Sequence, residues 1–279
     1  MKNKSVIITA DDLGLWPEIN DAVMAGYDAG IITSAGLRVN GTASYSAMVS
    51  ATMRPGLGVG LHLVLCEGAA TLTHRHVPNL VDTTGHFVDR PLEALWMYRR
   101  AGGLRDELKA EIRAQIEKFL ASGLFLTHVS GHYNLHLHPT VMSILKELAA
   151  DYPISAIRKP CGTLLTSYQS FVSAPWQRAI EHKILRAPLA WGRLRSRLFL
   201  GATRVELLSS DRPVTEHGVA RRLAAVRSGV TEFVCHPGSL APQYDGDGEV
   251  AVVTSATVRT AIVESGLELI SYRDVAEGL

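Results

Sequence analysis

Short β-branched runs alternate with helical patterns along most of the chain, and that alternation leaves few folds open. SVIITA (5–10) precedes a helical stretch around 18–29, AGLRVN (35–40) precedes one around 44–53, and GVGLHLVL (58–65) continues the rhythm. Strands separated by helices run parallel, because a parallel pair needs a long crossover and a helix supplies it. The spacing predicts further strands at LTHVSGH (126–132), SAIRKP (155–160), RVELLS (204–209), TEFVCHP (231–237) and LELISY (267–272). Helices are expected over 104–121, where Leu104, Leu108, Ile112, Ile116 and Leu120 recur at every fourth position, from Pro139 to Tyr152, over 216–228 and around 255–265. The expected fold class is α/β, a distorted (β/α) barrel of about seven parallel strands. A single domain over 1–279 is expected, interrupted by insertions at 67–103 and 161–203.

Composition narrows the function classes. Hydrophobic residues make up 47% and charged ones 20% of 279 residues, enough apolar material for a large core. The formal net charge of +1 gives no global field for nucleic acid, so recognition has to be local. Cys66, Cys161 and Cys235 are far apart in sequence, which argues against a structural zinc module or a disulfide framework. They read as core thiols in a reducing compartment. Asp11 and Asp12 cut off the first apolar run well below signal-peptide length, so a cytoplasmic protein is expected. The longest stretch without Lys, Arg, Asp or Glu, Phe119 to Leu145, contains four histidines and is no membrane span.

Polar residues fall at the strand ends. Asp11 and Asp12 end the first expected strand, Asn40 the second and His132 the fourth; His62 lies late in the third, Arg158 and Lys159 end the fifth, and His236 ends the seventh. In a βα barrel those ends converge on the C-terminal face, where active sites are built. Two adjacent carboxylates after an apolar strand repel when buried together, and a cation removes that cost. The alternative for the pair is a solvated turn that caps the next helix. A lone histidine such as His62 is more often a hydrogen-bonded core residue than a ligand, but HVSGHYNLHLHP supplies His128, His132, His136 and His138 together. One carboxylate and two imidazoles with a coordination position left open form a catalytic rather than a structural metal set. Zinc is favoured by those ligand types, with magnesium and manganese as alternatives.

The segments ITADDLGLWPEIN, GIITSAGLRVN, LGVGLHLVL, VPNLVDTTGHF, THVSGHYNLHLHP, IRKP and VCHPG, in this order, resemble the YdjC-like carbohydrate deacetylases, relatives of the polysaccharide deacetylases. The resemblance covers most of the chain. It implies that Asp12, His62 and His132 hold one divalent metal ion, that Asp11 is the base that activates water, and that His236 is the acid that protonates the leaving amine. Asn40, Arg158, His136 and His138 are expected to contact substrate. Ser130 and Asn134 depart from the family pattern, which has Asp or Asn and His at those places.

The resemblance is strongest to the hopanoid biosynthesis-associated branch, which implies N-acetylglucosamine on a hopanoid glycolipid as substrate. HKILRAPLAWGRLRSRLFLGATR, inside 161–203, mixes cationic with large apolar residues as interfacial segments do. It is read as a peripheral membrane contact, with a homodimer contact or a plain surface helix as the alternatives. A rival expectation is a deacetylase of soluble chitobiose-like or phosphorylated sugars, with Arg158 and Lys159 gripping a phosphate. A further rival is a non-catalytic sugar- or lipid-binding protein.

Overall fold

The computed structural model describes residues 4–99, 103–159, 196–208, 213–242 and 244–278. Its centre is a parallel sheet in which β1 (Lys4–Leu13), β2 (Ser34–Leu37), β3 (Gly58–Leu63), β4 (Val129–Gly131), β5 (Arg204–Leu207) and β6 (Gly229–Cys235) lie in the order β4-β3-β2-β1-β6-β5. The short β7 (Glu268–Leu269) pairs with Ser5 and Val6 at the start of β1, while β2 pairs with its far end. Between them run α1 (Pro17–Asp28), α2 (Ser44–Thr52), α3 (Pro91–Met97), α4 (Gly103–Leu120), α5 (Pro139–Leu148), α6 (Glu216–Ala224), α7 (Gly246–Val253), α8 (Ala256–Glu264) and α9 (Tyr272–Glu277).

The alternating pattern thus produces the expected parallel α/β architecture, as a curved half-barrel. Among the described residues β4 and β5 do not pair with each other. The predicted strand at 155–160 is reduced to bridges: Ile157 pairs with Val129 of β4, and Ala156 with Leu200. Three helices, α3 within the 67–103 insertion, α7 and the terminal α9, were not anticipated by the periodicity.

The period of two along each strand sorts the core. On β1, Val6, Ile8 and Ala10 point outward and join Ala35, Leu37, Leu61 and Leu63 beneath the helices. Ile7 points inward and packs with Ala156, Ile270 and Tyr272 in a small inner cluster. Residues in phase with Ile7 therefore face the barrel interior. Thr9 and Asp11 continue that inner row on β1, Gly36 and His62 occupy it on β2 and β3, and Ser130 sits beside His62 on β4.

One helix also shapes the mouth of the half-barrel. On α4 the expected apolar stripe is buried from Leu104 to Ile116, but so are Glu111 and Gln115. Gln115 clamps Val64 through its N–H and carbonyl, and Glu111 accepts from the N–H groups of Thr71 and Leu72. These bonds fix the loop 64–72 over the C-terminal ends of the strands.

Candidate functional site

Adjacent residues on a regular strand face opposite sides, so Asp11 and Asp12 should diverge. They do not, because β1 bulges between the pairs Ala10–Ala35 and Leu13–Leu37, fitting one extra residue against β2. Asp12 occupies the left-handed region at φ 64, uncommon for a residue with a side chain. The bulge turns both carboxylates toward the same imidazole: Asp11 Oδ1 lies 3.6 Å from His62 Nδ1 and Asp12 Oδ1 lies 3.6 Å from His62 Nε2. The following turn is locked by buried Asn20, which accepts from Gly14 N–H at 2.7 Å and donates to Ala43 O.

His62 Nδ1 is also 3.0 Å from Ser130 Oγ, so the residue that departs from the family pattern sits directly beneath the imidazole. Gly36 makes room for the group; a Cβ there would stand 3.0 Å from Asp11 Oδ1 and 3.2 Å from His62. Just past β4, Tyr133 and Asn134 are both left-handed, at φ 54 and 56. Asn tolerates that conformation through its short polar side chain, which gives a backbone reason for Asn134. This kink leaves His132 over His62, their ring centroids 6.0 Å apart.

Asp12, His62 and His132 each offer one ligand atom, all within 4.8 Å of one another. Asp12 Oδ1 is buried and has no hydrogen-bond partner among the described residues, although Arg38 Nη1 is 3.6 Å away. Burial pushes the His62 imidazole down to about 3 against the pull of Asp11 and Asp12. Burial raises the Asp12 carboxyl, but Arg38 and the neighbouring imidazoles outweigh it and hold it below the usual range. A neutral imidazole and an ionised carboxylate are the forms that bind metal. An unpartnered buried carboxylate oxygen facing imidazoles is the arrangement a divalent cation would satisfy, so the residues fit one.

Asp11 has different company. Arg158 grips it with both terminal nitrogens, Nη1 to Oδ2 at 2.6 Å and Nη2 to Oδ1 at 2.9 Å. Burial would raise its carboxyl, yet Arg158 above all keeps it well below the usual carboxylate range. His236 Nε2 is 4.0 Å from Asp11 Oδ2. Its ring stacks on Tyr244 with centroids 3.6 Å apart, and its backbone N–H donates to Glu249.

The structure separates the four residues expected to contact substrate. Arg158 is 2% exposed and occupied by Asp11 and Glu232. The Lys159 ammonium donates to Phe199 O, so both cations of the pair expected to grip a phosphate are engaged by protein groups. His136 is fully buried, with Nε2 3.0 Å from Arg158 O. His138 lies at the N-terminus of α5, where its Nδ1 accepts from Thr140 N–H. Asn40 stands past the end of β2 and bonds to Ala69 O, Thr71 and Lys118, bracing the 64–72 loop.

Sequence reasoning missed Arg38, Glu67, Glu232, Tyr244 and Tyr272. Arg38 ends an apolar strand and could have been found by the rule that found Asn40. Glu67 reaches back from its loop to His132 Nε2 at 3.5 Å and accepts from Tyr133 Oη. Residues 160–195, which hold most of the Arg-rich insertion with Arg193, Arg195 and Cys161, lie outside the described residues. Among the described residues no helix is long and apolar enough to cross a membrane.

A family model described as YdjC-like protein matches residues 5–264. A carbohydrate deacetylase of Geobacillus stearothermophilus is 29% identical over 279 residues, covering 96% of this chain and 96% of that protein. One of Clostridium beijerinckii is 26% identical over 286 residues, covering 97% and 99%. In fold, the chain is similar to a crystal structure from Enterococcus faecalis V583, that of a candidate cellobiose-phosphate cleavage protein. The TM-score is 0.72 at 24% identity, with 98% of each chain covered.

Proposed function

This chain belongs to the YdjC-like protein family, and from that premise we propose that it is a metal-dependent deacetylase that hydrolyses the N-acetyl group of an amino sugar. The observation that carries the reading is the buried, unpartnered Asp12 Oδ1 facing His62 Nε2 beside His132. The carbohydrate deacetylases to which the chain is similar along nearly its whole length support the same reaction class.

Asp12, His62 and His132 are the ligands in this reading. His62 binds through Nε2, which leaves the Nδ1 proton to Ser130 Oγ, the kind of support that fixes a ligand's tautomer. When bound, the divalent ion, with zinc favoured over magnesium or manganese, lowers the pKa of water and offsets the charge that develops on the amide oxygen. Asp11 accepts the proton of the attacking water. Its pairing with Arg158 keeps it ionised at neutral pH and fixes its direction. His236 delivers a proton to the departing nitrogen, the step an amide needs because its amine is a poor leaving group. A C–O bond forms, the C–N bond breaks, and acetate and the free amine leave.

For the substrate, the sequence resemblance favours N-acetylglucosamine on a hopanoid glycolipid, with membrane contact through 161–203. A soluble N-acetyl sugar fits the described geometry equally well. Metal analysis of the purified protein, joined to acetate-release assays on lipid-linked and soluble N-acetylglucosamine compounds, tests both levels. Stoichiometric metal and acetate release are expected. Release from soluble oligosaccharides alone would reject the glycolipid, and metal binding without release from any N-acetyl sugar would favour a non-catalytic binding protein.

A further inference from the structure

Arg158 is held from two sides. One edge of its guanidinium takes both oxygens of Asp11, while Nε reaches Glu232 Oε1 at 2.9 Å. Glu232 is fully buried and sits on β6 beside Ile7 of β1, facing the barrel interior. Its other oxygen, Oε2, accepts from Tyr272 Oη at 2.6 Å. Tyr272 begins α9; its backbone N–H donates to Ser34 Oγ, and its ring stacks on His128 with centroids 4.0 Å apart. An unbroken polar chain therefore runs from the last helix through Glu232 and Arg158 to Asp11.

Charge balance does not explain Glu232. Asp11 and Arg158 already form a complete ion pair, so neutralising Arg158 does not call for a second buried acidic side chain, and burying one is costly unless its oxygens are paired. Geometry gives it a role. A guanidinium is a rigid planar fork, so fixing one edge sets the direction of the other. Arg158 arrives from beside β4, whereas Asp11 and Glu232 lie on β1 and β6, so Glu232 anchors the fork next to the strand it serves.

We propose that Glu232 and Tyr272 are positioning residues for Asp11: they fix the plane of the Arg158 guanidinium and so hold the Asp11 carboxylate toward His62 and His236. The proposal rests on the reading of Asp11 as the proton acceptor given above.

The test uses the full chain loaded with zinc, as wild type, Glu232→Gln, Tyr272→Phe, Asp11→Asn and Asp11→Asn/Glu232→Gln. It measures kcat and KM for acetate release and, separately, zinc affinity by competition with a chromophoric chelator. Glu232→Gln is expected to lower kcat about 10–100-fold, the scale of a displaced catalytic group, with KM changed less than about two-fold. Tyr272→Phe should show the same split with a smaller loss. In the Asp11→Asn background, Glu232→Gln should add nothing further. A purely structural role would lower the melting temperature while leaving kcat per folded, metal-loaded protein unchanged, and that result overturns the proposal. If Glu232→Gln does not fold, Tyr272→Phe decides by the same criterion. If wild type binds zinc but releases no acetate, the deacetylase reading fails alone. The zinc affinities then decide: non-additive effects of Asp11→Asn and Glu232→Gln support positioning, and additive ones reject it. Absence of zinc binding by folded wild type would remove both.

Discussion

Asp12 Oδ1 and His62 Nε2 face each other across 3.6 Å with no hydrogen bond to Asp12 Oδ1 among the described residues. Leaving a charged acceptor unpaired in the interior costs several kcal/mol less once a cation fills the gap between the two groups. Adding zinc to chelator-treated protein should therefore stabilise the fold as well as load it. At a hundred times the dissociation constant the gain is about 2.7 kcal/mol, which for a chain of 279 residues raises Tm by about 4–6 °C. Differential scanning fluorimetry with and without zinc measures it. His62→Ala or His132→Ala should abolish the rise, and an undiminished rise in either folded variant would reject that residue as a ligand.

Gly36 shows how little room the site has. A methyl group there would press on Asp11 Oδ1 at 3.0 Å and on His62 at 3.2 Å, while adding no polar group of its own. Gly36→Ala should cost about 1–3 kcal/mol of stability by overpacking. It should also weaken metal binding about 10–100-fold, as changes just outside a ligand shell do. Urea unfolding and a metal titration read the two separately; unchanged metal affinity would mean that the inner row tolerates displacement of His62.

Arg158 is the only cation bonded to either Asp11 or Glu232 among the described residues. Arg158→Met keeps much of the side-chain volume and leaves the acidic groups of Asp11 and Glu232 buried without the guanidinium they share. Removing one partner of a buried ion pair costs about 3–5 kcal/mol. The loss should show at neutral pH and shrink in acid, where the carboxylates can protonate. A variant as stable as wild type at pH 7 would indicate that water enters beside Asp11.

Much of this arrangement was legible in the sequence, for a definable reason. Strand period and polarity together single out polar residues in apolar strands, so Asp11, Asp12, His132 and His236 stood out at expected strand ends and His62 late in its strand, while their separate roles came from the family resemblance. What local pattern does not encode is pairing across the sheet. Nothing around Arg158 says that Asp11 and Glu232 occupy it, and an arginine at a strand end reads equally well as a substrate contact. The bulge at Asp12 was invisible because it depends on register against β2. The histidines of HVSGHYNLHLHP look alike in sequence, yet the kink at Tyr133 and Asn134 sends His132 to the site, His136 beneath Arg158 and His138 to a helix terminus.

His138 yields the last prediction. Its imidazole is buried, accepts from Thr140 N–H and meets the Tyr98 ring edge-on, with centroids 6.0 Å apart. Burial pushes it down to about 4 from an ordinary value of 6.5. Between those values the unfolded chain binds a proton that the folded chain refuses. Stability conferred by this group is therefore complete above about pH 6.5 and is lost as pH falls toward 4. At pH 5 the loss from this residue alone is about 2 kcal/mol relative to pH 7.5. Asn is a good helix N-cap and does not titrate, so His138→Asn can keep the bond to Thr140 while removing the proton site. The variant should be less stable than wild type at pH 7.5, because the ring contact with Tyr98 is gone, but should lose about 2 kcal/mol less between pH 7.5 and pH 5. Urea unfolding at the two pH values measures the difference. Equal losses in both proteins would show that His138 takes up its proton in the folded state.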